Sequence, residues 1–119
     1  MLIHRKFHFD AAHKLHEVGP EKCKRLHGHT YRLEVSVRGP VRKGMVLDFG
    51  DLDRIVKETV LARWDHQYLN ERVPDGMETT VENLAALAAE LIAKQLPAGV
   101  ELAQITMWEG LNSSAVWQG

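Results

Sequence analysis

The sequence predicts an α+β fold of order ββααββ, an antiparallel sheet carrying two helices on one face. Three observations predict it. Two stretches near the N-terminus alternate apolar and polar residues, two capped helical stretches follow, and two more alternating stretches close the chain.

In residues 3–15, Phe7, Phe9, Ala11, His13 and Leu15 share one face, and His8, Asp10, Ala12 and Lys14 share the other. Period two with aromatic residues reads as a half-buried strand. Residues 27–38 alternate again, with His27, His29, Tyr31, Leu33, Val35 and Val37 on one face. The polar loop between them holds the turn signal Gly19-Pro20, so the two strands form an antiparallel hairpin. Gly39-Pro40 ends the second strand.

Asp48 then caps a helix whose apolar stripe is Leu52, Ile55, Val56, Val60 and Trp64. Pro74-Asp75-Gly76 is a turn. Thr79-Thr80-Val81-Glu82 matches a capping box with Thr79 as N-cap, and the helix it opens runs to about Gln95, before Pro97 and Gly99. Residues 101–109 and 113–118 form a second hairpin through Gly110-Leu111-Asn112. Four strands leave two sheet edges. Residues 27–38 and 101–109 are long and carry few edge-blocking residues, so another subunit is expected to cover them.

The length, 119 residues, fits one domain spanning 1–119, and 45% hydrophobic with 26% charged residues is ordinary for a globular protein. A net charge of −1 gives no bulk attraction for nucleic acid or anionic membrane, so neither is an expected partner and any anion site is local. A single cysteine, Cys23, excludes an intramolecular disulfide. The first residues lack the apolar core of a signal peptide and no run is long enough to span a membrane, so the expected location is the cytoplasm.

Four of the seven histidines fall within residues 13–29. His27 and His29 point to one face of their strand. If the hairpin folds about the middle of its loop, His13 lies opposite them and three imidazoles converge. A one-residue slip would destroy this arrangement. Three neutral imidazoles suit zinc, and a three-histidine zinc with an open fourth position is a catalytic arrangement. The competing reading is three core histidines with satisfied hydrogen bonds. His4, His8 and His16 lack this placement and read as surface or secondary residues.

Cys23 sits on the loop above the proposed metal, flanked by Lys22, Lys24 and Arg25, whose charge favours the thiolate. It is a fourth ligand closing a structural site, a base or nucleophile over an open one, or an incidental thiol. Asp65-His66 follows the first helix. It is an acid/base relay or simply a histidine at a helix C-terminus, and the residues alone favour the latter. Adjacent residues rarely point the same way, so the relay requires no direct contact. Glu109 shares a face with Ala103, Ile105 and Met107. An acid there either holds a ligand with a planar N–H pair, such as the 2-amino edge of a pterin, or already belongs to the solvated turn.

The blocks Phe9-Asp10-Ala11-Ala12-His13 and Cys23 with His27-Gly28-His29-Thr30-Tyr31 resemble the 6-pyruvoyl-tetrahydropterin synthase family. So do Asp48-Phe49, Leu52, Asp65-His66, Leu69-Asn70, Thr80, Glu82-Asn83 and Trp108-Glu109. The short spacing from Cys23 to His27 is most like the bacterial 6-carboxy-5,6,7,8-tetrahydropterin synthase branch, which feeds queuosine and other 7-deazapurines. The resemblance implies the tunnelling fold, whose subunit sheets join into a barrel, and a homo-oligomer, trimer or hexamer, with active sites at subunit interfaces. It implies zinc, one ion per subunit, on His13, His27 and His29. Cys23 would be the catalytic thiol with Asp65 and His66 as acid/base partners, which interface sites would let reach it from a neighbouring chain. Glu109 would anchor the pterin, helped by Thr80. The implied substrate is 7,8-dihydroneopterin triphosphate, cleaved to the 6-carboxy product, acetaldehyde and triphosphate. A 6-pyruvoyl-forming enzyme and a non-enzymatic zinc-stabilised binding module are the rivals. The basic cluster Lys22, Lys24 and Arg25 either attracts the triphosphate or is a solvated loop. Thr79 departs from the Pro-Thr that the bacterial branch often carries there.

Overall fold

A computed structural model describes residues 1–119. Five strands, β1 (Leu2–His13), β2 (His27–Arg38), β3 (Gln67–Tyr68), β4 (Glu101–Glu109) and β5 (Ser113–Gln118), form one sheet in the order β3-β1-β2-β4-β5. The β1–β2 and β4–β5 hairpins form where the alternation places them, and both are antiparallel. Their register is set by burial. Phe9, Tyr31, Leu33, Val35, Ile105 and Met107 all lie on the covered face, and any odd shift would carry them into water.

Two helices cover that face. The first is α-helical over Phe49–Val56, widens into a π-helical segment at Lys57–Leu61 and closes with an α turn at Ala62–Trp64. Asp48 caps it as expected, its carboxylate accepting the Gly50 N–H at 2.8 Å. The second helix spans Val81–Ala93 and buries Leu84, Ala85, Ala88, Ala89 and Ile92. It ends slightly before Gln95, ahead of the Pro97 turn. Between strands and helices sits one core in which Phe9 stacks on Tyr31 at 5.1 Å and tilts against Trp64 at 5.9 Å.

Three expectations need correction. The helix cap is Thr80 and not Thr79: the Thr80 hydroxyl accepts the Asn83 N–H at 3.2 Å. Thr79 is fully buried one residue earlier, its polar atoms engaged by His13. The sheet has a fifth strand, β3, which runs parallel to β1 through Ala11↔Gln67 and Ala12↔Tyr68. Two residues are too few for periodicity to reveal. Finally, residues 27–38 and 101–109 are interior strands paired on both sides. The open edges belong to β5 and to the part of β1 ahead of its short pairing with β3.

Trp64 is fully buried, and its indole N–H reaches the Arg72 carbonyl at 3.4 Å. Trp64→Ala should cost about 3–5 kcal/mol, the range for emptying a large aromatic site. Urea unfolding followed by circular dichroism measures it.

Candidate metal centre and acid/base cluster

The β1–β2 register pairs His13 with His27 directly and Ala11 with His29. Because side chains alternate, all three imidazoles project to the covered face at the loop end of the hairpin. Their ring centroids lie 4.6 Å (His13–His27), 5.2 Å (His13–His29) and 4.8 Å (His27–His29) apart. One donor nitrogen from each falls within 4.8 Å of the others. The convergence expected from period and register is present.

Each ring is oriented by what surrounds it. His13 Nδ1–H donates to the Thr79 carbonyl at 2.9 Å and lies 3.0 Å from the Thr79 hydroxyl. His27 Nδ1–H donates to the Arg25 carbonyl at 2.7 Å. A carbonyl only accepts, so in both rings the hydrogen is on Nδ1 and the lone pair is on Nε2. His13 Nε2 and His29 Nε2 are buried without a hydrogen-bond partner. Burial lowers the His13 pKa, against an opposing push from its Thr79 hydrogen bond and from Glu109. The ring is thus biased toward the neutral form that binds metal. His13, its Nδ1 held by a carbonyl and its buried Nε2 without a partner among converging imidazoles, is arranged as metal-binding histidines usually are, and His29 adds a second buried, unpartnered nitrogen. Core histidines with satisfied hydrogen bonds would not leave two such atoms empty.

Glu109 ends β4 opposite Tyr31. Its side chain is half-buried, with Oε1 3.2 Å from His29 Nε2. The approach lacks hydrogen-bond alignment, since the same nitrogen is otherwise without a partner. Glu109 therefore stands beside the three-histidine cluster and not in the solvated turn. The buried Tyr31 hydroxyl also lacks a partner, and burial together with the Glu109 charge pushes its pKa far up, keeping the phenol neutral.

Cys23 lies in a short 3₁₀ turn, Glu21–Lys24, half-buried and free. Its sulfur is outside the three-histidine donor set, so the closed four-ligand arrangement is not formed here. Of its basic neighbours, Lys24 is drawn to Glu21 at 3.3 Å.

Asp65 and His66 do touch, contrary to the expectation from adjacency. His66 Nδ1 lies 2.9 Å from Asp65 Oδ1. His66 has φ of 59°, a left-handed conformation that turns its ring back onto the preceding carboxylate. The dipeptide is anchored to β1: Asp10 N–H donates to Asp65 Oδ1 at 3.1 Å, and His66 N–H donates to the Asp10 carbonyl at 2.6 Å. The Thr30 hydroxyl donates to the Asp10 carboxylate. Asp10, Asp65 and His66 thus form a second polar cluster, and Asp10 and His66 line an open cleft with Gly28, His29 and Thr30. By alternation Asp10, Ala12, Gly28 and Thr30 lie on the sheet face opposite the three histidines. The Asp10–Asp65–His66 cluster therefore meets β1 from the face opposite the three-histidine cluster, with His29 at the cleft between them.

Sequence reasoning missed Asp10 and Thr79 as site residues. Asp10 was visible only as a polar residue on the exposed face, and Thr79 was assigned to a cap. Of the histidines set aside, His4 hydrogen-bonds Ser36 across the hairpin, and His16 lies on the exposed loop.

A 6-pyruvoyl tetrahydropterin synthase family model matches residues 2–119. The chain belongs to this family. Among its relatives, a dihydroneopterin monophosphate aldolase from Pyrococcus furiosus is 42% identical over 102 residues, covering 86% of this chain and 83% of that protein. A 6-carboxy-5,6,7,8-tetrahydropterin synthase from Synechocystis is 38% identical over 122 residues, covering 96% and 90%. The structure of Caenorhabditis elegans 6-pyruvoyl tetrahydropterin synthase superposes with a TM-score of 0.87 at 28% identity, covering 100% of this chain and 95% of that one. The five-stranded sheet with two helices is thus the pterin synthase architecture, in which a pterin-binding enzyme is expected.

Thr79→Val keeps the carbonyl contact to His13 and removes the hydroxyl. Loss of such an outer partner typically weakens metal binding about tenfold or more. Competition titration of zinc or cobalt against a chromophoric chelator measures it.

Proposed function

We propose that the chain is a zinc-dependent carbon–carbon lyase. It would convert 7,8-dihydroneopterin triphosphate to 6-carboxy-5,6,7,8-tetrahydropterin, with release of acetaldehyde and triphosphate, in queuosine and 7-deazapurine biosynthesis. One observation carries the proposal: three convergent imidazoles with the Cys23 thiol outside their donor set. This suits a metal with room for a reactant, and a thiol free to react. The full-length similarity to the Synechocystis 6-carboxytetrahydropterin synthase supports the substrate class.

His13, His27 and His29 would hold the zinc, which when bound supplies Lewis-acid polarisation of a substrate oxygen. Cys23, as thiolate, takes a proton from the pterin side chain. Glu109 accepts the N–H pair of the ring and, with the Thr80 hydroxyl, fixes the reacting carbon near thiol and metal. His66, oriented by Asp65, exchanges the second proton. Since that pair sits against the sheet face opposite its own three-histidine cluster, it would serve Cys23 of another copy. A trimer or hexamer joined through the open sheet edges into a barrel would supply that arrangement.

A second reading takes its support from the Pyrococcus relative, which matches most of this chain: cleavage of a dihydroneopterin monophosphate side chain. The products separate the readings. Mass spectrometry after incubating zinc-loaded protein with dihydroneopterin triphosphate should find the 6-carboxy pterin and trapped acetaldehyde. A 6-pyruvoyl product would instead mark simple triphosphate elimination, and turnover confined to the monophosphate would mark the aldolase. Cys23→Ala should lower kcat by about 10²-fold or more while zinc remains bound. His27→Ala should lose both zinc and activity. Loss of zinc from Cys23→Ala would establish instead a closed structural centre, as the binding-module reading requires.

A further inference from the structure

The loop that carries Cys23, between β1 and β2, is tied to the rest of the molecule at one limb. Lys14 N–H donates to Asn70 Oδ1 at 3.1 Å, and Asn70 Nδ2 donates back to the Lys14 carbonyl at 2.8 Å. Beyond it, the Glu78 carboxylate accepts the His16 N–H at 2.9 Å and the Glu17 N–H at 2.7 Å. The limb bearing Cys23 is fastened to this one by a single backbone bond, Leu15 N–H to the Cys23 carbonyl at 2.8 Å. Inside the loop, Cys23 N–H closes onto the Pro20 carbonyl at 2.9 Å. Displacement of residues 15–17 therefore displaces the thiol.

Glu78 also adjoins Thr79, the residue that holds His13. Two neighbouring residues thus grip both partners of the candidate site, Thr79 the metal ligand and Glu78 the thiol's loop. Glu78 itself is steadied through its carbonyl, which accepts from Asn83 Nδ2 at 2.9 Å on the first turn of the second helix. We infer that Glu78 is a positioning residue for Cys23, setting the distance between the thiol and the three-histidine centre through residues 15–17. A carboxylate is suited to this work because its hydrogen bonds from two backbone N–H groups are charge-assisted. Those same bonds hold its pKa below the usual glutamate range. Its sequence position gives no hint of the role, since the residues it binds lie some sixty positions away.

The inference rests on Cys23 being the reacting thiol, and the test separates the two. In zinc-loaded Glu78→Ala, kcat should fall about tenfold with KM nearly unchanged, since small misplacements of a reacting group are costly to rate. The alkylation rate of Cys23 by iodoacetamide should change by about threefold or more as its surroundings alter. The absorption spectrum of the cobalt-substituted protein, which reports the three histidines, should stay as in the parent. Glu78→Gln keeps an acceptor but loses the charge and should fall between the two in both readouts. It carries the test should the alanine variant fail to fold. Parent-like kcat and alkylation in a folded Glu78 variant would overturn the inference, and so would an altered cobalt spectrum accompanying every loss of rate. Should alkylation shift while kcat holds, and Cys23→Ala keep full activity, the clamp stands and the catalytic thiol falls.

Discussion

The register of the β1–β2 hairpin is the constraint from which the rest of the site follows. Cross-strand pairing of His13 with His27 decides that three imidazoles meet. Nothing local to the histidines fixes it. It is fixed further along the strands by Phe9, Tyr31, Leu33, Val35 and Val37, which cannot leave the core without exposing large apolar surfaces. The same alternation sends Asp10, Gly28 and Thr30 to the far face, where they receive Asp65 and His66. A hydrophobic pattern thus sorts the polar chemistry into two compartments.

What surrounds the ligands matters as much as the ligands. His13 and His27 each surrender one nitrogen to a carbonyl, from Thr79 and Arg25 respectively, and so present the other. These carbonyls come from the segment ahead of the second helix and from the loop after Cys23. The ring orientation therefore depends on elements that make no contribution to the donor set. The cost is a fully buried threonine whose hydroxyl and carbonyl are both committed.

Much of this was legible in the residues alone. Both hairpins, both helices, the Asp48 cap and the three-histidine convergence follow from period two, period 3.6 and turn residues, because burial enforces those periods. The failures have physical causes. Thr79 and Thr80 are equally good caps by chemistry, and only the distant imidazole of His13 breaks the tie. The strand β3 is two residues long and exists because β1 offers it an edge, a tertiary fact with no local trace. The direct Asp65–His66 contact depends on a left-handed backbone at His66, which histidine adopts uncommonly. Sheet order was not readable either, so the strands that looked exposed proved to be interior.

The widened turn at Lys57–Leu61 has a consequence for how the chain tolerates length change. A π-helical turn accommodates one residue more than an α turn while returning the axis to the same course. Removing a single residue there would restore ordinary geometry and leave Trp64 pointing inward. The same deletion one turn earlier would swing the following stripe by about 100°, moving Lys57 into the buried place of Val56 and Asp65 into that of Trp64. That stretch of the first helix is thus the place where an indel among descendants of this fold could be absorbed without refashioning its centre.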